Sequence, residues 1–223
     1  MIRRDYILHL VEATVAALCR VLGHKQAGNY PAALADVRRT ASELLGLEEK
    51  AWLALSDRQL ARLLTADGRL HRERCAVAAV LLKEEAALLN LLGETECARR
   101  QQIKALSLLL DVTTHGVNVP GIDCAAEIAA LRDCLSDSDL PAHVESGLLQ
   151  HHELRGEFAE AENVLFRLAE TRGPEMFAAG SAFYQRLLAQ PDDALERGNL
   201  PRAEVESGLL EFRARHSPAS ARG

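Results

Sequence analysis

Gly93-Glu94-Thr95-Glu96-Cys97-Ala98 decides how this chain is read, because its frame, a glycine followed five residues later by an alanine, recurs at three further places read as hairpin turns. These turn copies are Gly28-Asn29-Tyr30-Pro31-Ala32-Ala33, Gly156-Glu157-Phe158-Ala159-Glu160-Ala161 and Gly198-Asn199-Leu200-Pro201-Arg202-Ala203. Each sits between two stretches with helical apolar spacing. Glycine supplies the left-handed backbone angle of a tight turn, and the small alanine lets the following helix approach its partner. The chain therefore reads as an all-α series of antiparallel helix hairpins.

Outward from these turns, hairpins are expected over about 5–46, 70–114, 141–172 and 174–215, in a single helical domain over 1–215. Inserted helices are expected over about 47–66 and 123–135, with a disordered tail over 216–223. The first helix carries Tyr6, Ile7, Leu10, Val11, Leu18, Val21 and Leu22 as one apolar stripe, read as the face that covers the next helix. Ser56-Asp57-Arg58-Gln59 has the capping-box pattern that opens a short helix. In Ser136-Asp137-Ser138-Asp139-Leu140-Pro141 a Ser or Asp is placed to cap the helix beginning near Pro141. Pro191 interrupts the first helix of the last pair.

Composition narrows the function classes. The 223 residues include 48% hydrophobic and 26% charged side chains, enough to bury a core without disulfide or metal. A net charge of -6 argues against a general nucleic-acid binder, whose phosphate contacts demand a basic surface. The acidity is concentrated between Pro120 and Arg172, where eleven acidic residues face four basic ones. Five cysteines, at 19, 75, 97, 124 and 134, lack the spacing of a disulfide framework and read as reduced thiols of a cytoplasmic protein. Cys124 and Cys134 are expected to be buried small residues. No uninterrupted apolar run reaches the ~20 residues of a spanning helix, so no stable membrane insertion is expected.

The repeated frame resembles the tetratricopeptide repeat in Ala86, Leu89, Gly93, Ala98 and Ala105 of the second hairpin, and in Leu149, His152, Gly156, Phe158, Ala161 and Leu168 of the third. Turn glycines 65, 63 and 42 residues apart depart from that repeat's period, which the inserted helices explain. The resemblance implies a right-handed stack whose first helices line a groove, formed here by Lys83, Ala87, Asn90, His143, Ser146, Gln150 and Glu153. Ala87 stands where that family's carboxylate clamp has asparagine. The string Met1-Ile2-Arg3-Arg4-Asp5-Tyr6-Ile7, with the Gly-x-Tyr turn and Leu-Ser-Asp segment, is also similar to an uncharacterised bacterial family. That resemblance implies fold and bacterial cytoplasmic origin, and no activity.

Two functional readings follow. The first is a non-enzymatic helical-repeat scaffold that binds a protein or peptide, or a second copy of itself, and needs no cofactor. The second rests on His71 and Cys75, and on Asp111 and His115, each pair four apart on one of two facing helices; these are zinc-compatible ligands for a hydrolase or sensor. His151-His152 is read as a surface histidine pair without metal-site spacing, and Glu84-Glu85, Asp137/Asp139 and Asp192-Asp193 as solvated faces and caps. Arg3 and Arg4, ahead of the first stripe, leave a weaker reading in which that helix lies on an anionic membrane.

Overall fold

Helix-forming sequence between turn glycines yields an all-α protein. A computed structural model describes residues 2–66, 69–114, 119–136 and 138–216, and the chain divides into two compact units, 1–139 and 140–223.

In the first unit, α1 (Ile2–Gln26) and α2 (Tyr30–Leu45) form the opening hairpin. Asn29 caps α2 by accepting the Ala32 amide at 3.3 Å, and Gly46 ends it in the left-handed region at φ 65°. The insertion then supplies α3 (Glu49–Ala54) and α4 (Asp57–Leu63). Ser56 and Gln59 make the expected capping box, with Ser56 Oγ accepting the Gln59 amide at 3.2 Å and Gln59 Oε1 accepting the Ser56 amide at 2.9 Å. A two-residue antiparallel ladder, Thr65–Ala66 against Arg69–Leu70, delays the next helix. Accordingly α5 (Arg72–Leu91) starts later than its apolar spacing predicts; it pairs with α6 (Thr95–Thr113) across Gly93, at φ 81°. Asp123 caps α7 (Cys124–Cys134) by accepting the Ala125 and Ala126 amides, each at 3.1 Å.

The centre of this unit is α5, buried on nearly every side, with Cys75 through Ala79, Leu81, Leu82, Ala86, Leu88 and Leu89 inside. It packs on α2, α6, α1 and α7. Fully buried leucines of this kind each contribute about 1.5–3 kcal/mol by leaving water. Ala98, Ala105 and Val112 form the expected stripe of α6 and are buried against it.

Unlike its expected single stripe, α1 has two faces. Leu10, Thr14, Ala17 and Val21 are buried toward α2 and α5, while Tyr6 and Leu22 lie on the exposed side. From Tyr6 to Gln26 this helix has a mean hydropathy of 1.5, so by length and composition it is apolar enough to cross a membrane, and 22% of its most apolar window is buried. Its uninterrupted apolar runs are short because Glu12, Arg20 and Lys25 interrupt it at wide spacing.

The second unit opens with α8 (Ala142–Arg155) and α9 (Phe158–Arg172), turning at Gly156 with φ 73°. Pro141 occupies the capping position of α8 with no side-chain cap, so the expected Ser or Asp cap is absent among the described residues; Asp137 lies outside them. A 3-10 turn at Gly173–Glu175 leads to α10 (Met176–Leu188), α11 (Asp192–Arg197) and α12 (Arg202–His216). Pro191 ends in extended backbone ahead of α11, so the last pair is α10 with α12, joined through a one-turn spacer. Arg202 ties that junction by donating to the Leu188 and Gln190 carbonyls at 3.0 and 2.7 Å, which satisfies groups left open at the end of α10.

The fourth glycine of the frame works differently from the other three. Gly198 has φ -83°, and the left-handed residue is Asn199 at φ 53°. What Gly198 supplies is space: a Cβ there would lie 2.4 Å from Phe158 Cδ2 and 2.5 Å from the Gly156 carbonyl oxygen. The Ala159 amide donates to the Gly198 carbonyl at 3.0 Å, so two turns distant in sequence are bonded to each other.

Candidate functional site

The most unusual side chain in the first unit is Glu85, fully buried at 0% exposure on the central helix. Burying a carboxylate is costly unless it is paired and hydrogen-bonded, so its partners are informative. Arg38 Nε on α2 donates to Oε1 at 2.9 Å, and Trp52 Nε1 on α3 donates to Oε2 at 2.7 Å. The expectation that Glu84-Glu85 is a solvated pair is thus corrected. Glu84 accepts from Lys25 of α1 at 2.8 Å, and Glu85 joins three helices from inside.

Polar groups continue from this centre. Lys104 on α6 donates to the Leu53 carbonyl at 3.2 Å, and Ser107 donates to Asp57 Oδ2 at 2.6 Å. Burial pulls the Lys104 ammonium below the ordinary lysine range, with Arg100 adding to the effect and the Glu85 and Asp57 carboxylates opposing it. The insertion is therefore held to the α5–α6 hairpin by polar contacts on both its helices.

A pocket of about 600 Å³ opens beside Arg38. Pro31, Leu34, Ala35 and Leu92 give it apolar walls, and Arg38, Arg39, Ser42, Glu49 and Glu94 ring it with both charges. Leu34 also packs on the buried Ala86, Leu89 and Ala98, so the wall is continuous with the core. Arg38 faces the pocket while held by Glu85 and, at 3.6 Å, by Glu49; Arg39 pairs with Asp36.

Of the expected groove in this unit, Lys83 and Ala87 are half-buried and Asn90 is exposed. Lys83 pairs with Glu127 of α7, so the inserted helix draws this lysine away from a ligand. In the second unit, Gln150 is exposed, Ser146 donates to the Ala142 carbonyl of its own helix at 2.8 Å, and Arg186 grips Glu153 through two bonds of 2.5 and 2.8 Å. His143 is half-buried on α8.

For the metal reading, His71 is half-buried, Cys75 is buried and Asp111 is exposed, while His115 lies outside the described residues. Burial, reinforced by the Asp111 charge, pushes the Cys75 thiol up to about 12, which disfavours the thiolate a metal requires. No group of three His, Cys, Asp or Glu with metal-binding geometry forms among the described residues.

Two further expectations are corrected. His151 and His152 are 5% and 4% exposed, an edge-on ring pair inside the second unit, with His152 Nδ1 2.7 Å from Glu157 Oε2. Although burial raises the Glu157 carboxyl, hydrogen bonds from Arg155 and His152 outweigh it and leave its pKa lowered. Cys124 is buried as expected, whereas Cys134 is exposed. A second buried polar contact has Tyr184 donating to Glu162 Oε1 at 2.6 Å; burial raises the pKa of both groups.

Fold and site together define an all-α protein of antiparallel helix hairpins with a charged node inside its first unit. Over residues 1–217 the chain matches the DUF6483 family of unknown function, and it belongs to that family. No curated protein and no solved structure matches it.

Proposed function

We propose that this is a non-enzymatic, tetratricopeptide-like helical protein that binds a peptide segment of a protein partner in the pocket beside Arg38. The observation that carries the reading is the pocket's chemistry: apolar walls from Leu34, Ala35 and Leu92 under a ring of Arg38, Arg39, Glu49 and Glu94. An apolar pocket with a few oriented polar groups is a common form of binding site, and its paired charges suit the amide and ionic groups of a peptide better than a bare anion. The Glu85 node supports the reading by fixing Arg38 in place before any ligand arrives, which lowers the entropy cost of binding.

Panning a random-peptide display library against the purified full chain tests this, with Ala35→Trp as the counter-screen because Ala35 is exposed and the indole fills the pocket. The expected result is a family of peptides that bind the parent chain and lose affinity about tenfold or more for the variant. Enriched peptides that bind both proteins equally, or no enrichment at all, would overturn the assignment.

A further inference from the structure

The two ends of the pocket beside Arg38 differ in chemistry. Leu34 packs on Ala86, Leu89 and Ala98, Arg38 bonds Glu85, and Arg74 donates to the Leu45 carbonyl, so α2 runs antiparallel to α5. Pro31, Leu34 and Leu92 therefore stand at the Gly93 end of the pocket, while Arg38, Ser42 and Glu49 lie toward the other. From Pro31 to Ser42 this wall of α2 spans about 16 Å, room for about five residues of extended chain. The polar groups away from the Gly93 end are already spent. Arg38 is bonded to Glu85 and Glu49, Arg39 to Asp36, and Ser42 to the Leu47 carbonyl. Glu94, beside Leu92, is exposed and stands at the N-cap position of α6 without capping the helix. Its carboxylate makes no hydrogen bond or ion pair among the described residues, so the lining charge left to a ligand is an anion next to an aliphatic wall.

We infer, resting on the peptide-binding reading of this pocket, that its ligand is a basic segment in which an arginine or lysine lays its methylene stem on Pro31, Leu34 and Leu92 and its charged head on Glu94. Long basic side chains bury their stems along apolar surface and keep the head in a polar setting, and this end of the pocket offers both. An acidic peptide fits less well, because it must take Arg38 or Arg39 from the Glu85, Glu49 and Asp36 carboxylates that hold them. Those carboxylates also offset the two guanidiniums, and Arg38 lies one helical turn beyond Leu34, so a cation at Glu94 is not turned away. The net charge of -6 favours encounter with a basic partner.

The test is panning of displayed random peptides against the full chain, followed by fluorescence anisotropy of the enriched peptides made synthetically. Circular dichroism verifies that Glu94→Gln and Glu94→Arg keep their helix content, as expected for a side chain with no internal partner. Enriched peptides that Ala35→Trp blocks should carry arginine or lysine at one shared position. Changing that residue to glutamine should weaken binding to the parent chain about threefold to tenfold and cost nothing further on Glu94→Gln. Added salt should weaken the parent complex more than that of Glu94→Gln, and panning on Glu94→Arg should replace the basic position with an acidic one. Peptides that Ala35→Trp blocks overturn the basic-ligand inference, and leave the pocket standing, if they share no basic position, share an acidic one, or bind Glu94→Gln as well as the parent. Peptides indifferent to Ala35→Trp, or no enrichment, overturn the pocket reading and this inference with it.

Discussion

Replacing Glu85 with alanine removes the acceptor shared by Arg38 and Trp52. Breaking a buried ion pair by deleting one partner typically costs about 3–5 kcal/mol, because the other charge stays behind uncompensated. Arg38 keeps some water, at 23% side-chain exposure, and keeps Glu49 at 3.6 Å, which places its share at the low end. The Trp52 indole is buried and would lose its acceptor entirely. A net loss of about 3 kcal/mol follows, or a melting temperature lower by roughly 6–12 °C for a domain of this size. Trp52 is the chain's single tryptophan, so its emission during urea unfolding reports on the first unit alone. Glu85→Gln retains an acceptor but no charge and should lose about half as much. If Glu85→Ala shifts the transition by less than about 2 °C, the node is not what holds the insertion in place.

Gly198→Ala should destabilise the second unit by about 1–3 kcal/mol, read by thermal circular dichroism, because its Cβ meets the Phe158 ring and the Gly156 carbonyl; an unchanged melt would refute the close approach. Glu157 titrates below the ordinary carboxylate range when folded, so its contribution is present above the unfolded pKa and is lost as pH falls through the folded one. Acid unfolding curves of parent and Glu157→Gln should therefore converge at low pH and separate above the ordinary carboxylate range. In alkylation followed by mass spectrometry, exposed Cys19 and Cys134 should react first, and buried Cys75 and Cys124, whose thiols burial pushes up, only after denaturation.

Much of the scaffold was legible because turn chemistry is local. Gly28, Gly93 and Gly156 take positive φ, and Ser56 with Gln59 makes its box from four consecutive residues. Gly198 shows where local reading stops, since its constraint comes from a ring and a carbonyl 40 and 42 residues away. Glu85 carried a signal that composition obscured: Ala78, Leu82, Glu85 and Leu89 lie at helical spacing on one buried stripe, and a charge in that row needs partners. Those partners, Arg38 and Trp52, sit on separate helices, and no pattern along the chain pairs them. The histidine pair was misplaced for a similar reason. His151 and His152 are adjacent on α8, yet packing in the second unit buries both.

The bond between the Ala159 amide and the Gly198 carbonyl has a practical meaning for anyone redesigning this protein. Turns are ordinarily the places that accept added residues, and the Gly173 turn, with open space around the glycine and none of its residues at the pocket, is suited to an inserted epitope or fluorescent label. The turns at Gly156 and Gly198 are not interchangeable with it. Each serves as the other's wall, so lengthening either would pry both apart, and tags or circular-permutation breakpoints belong at Gly173 instead.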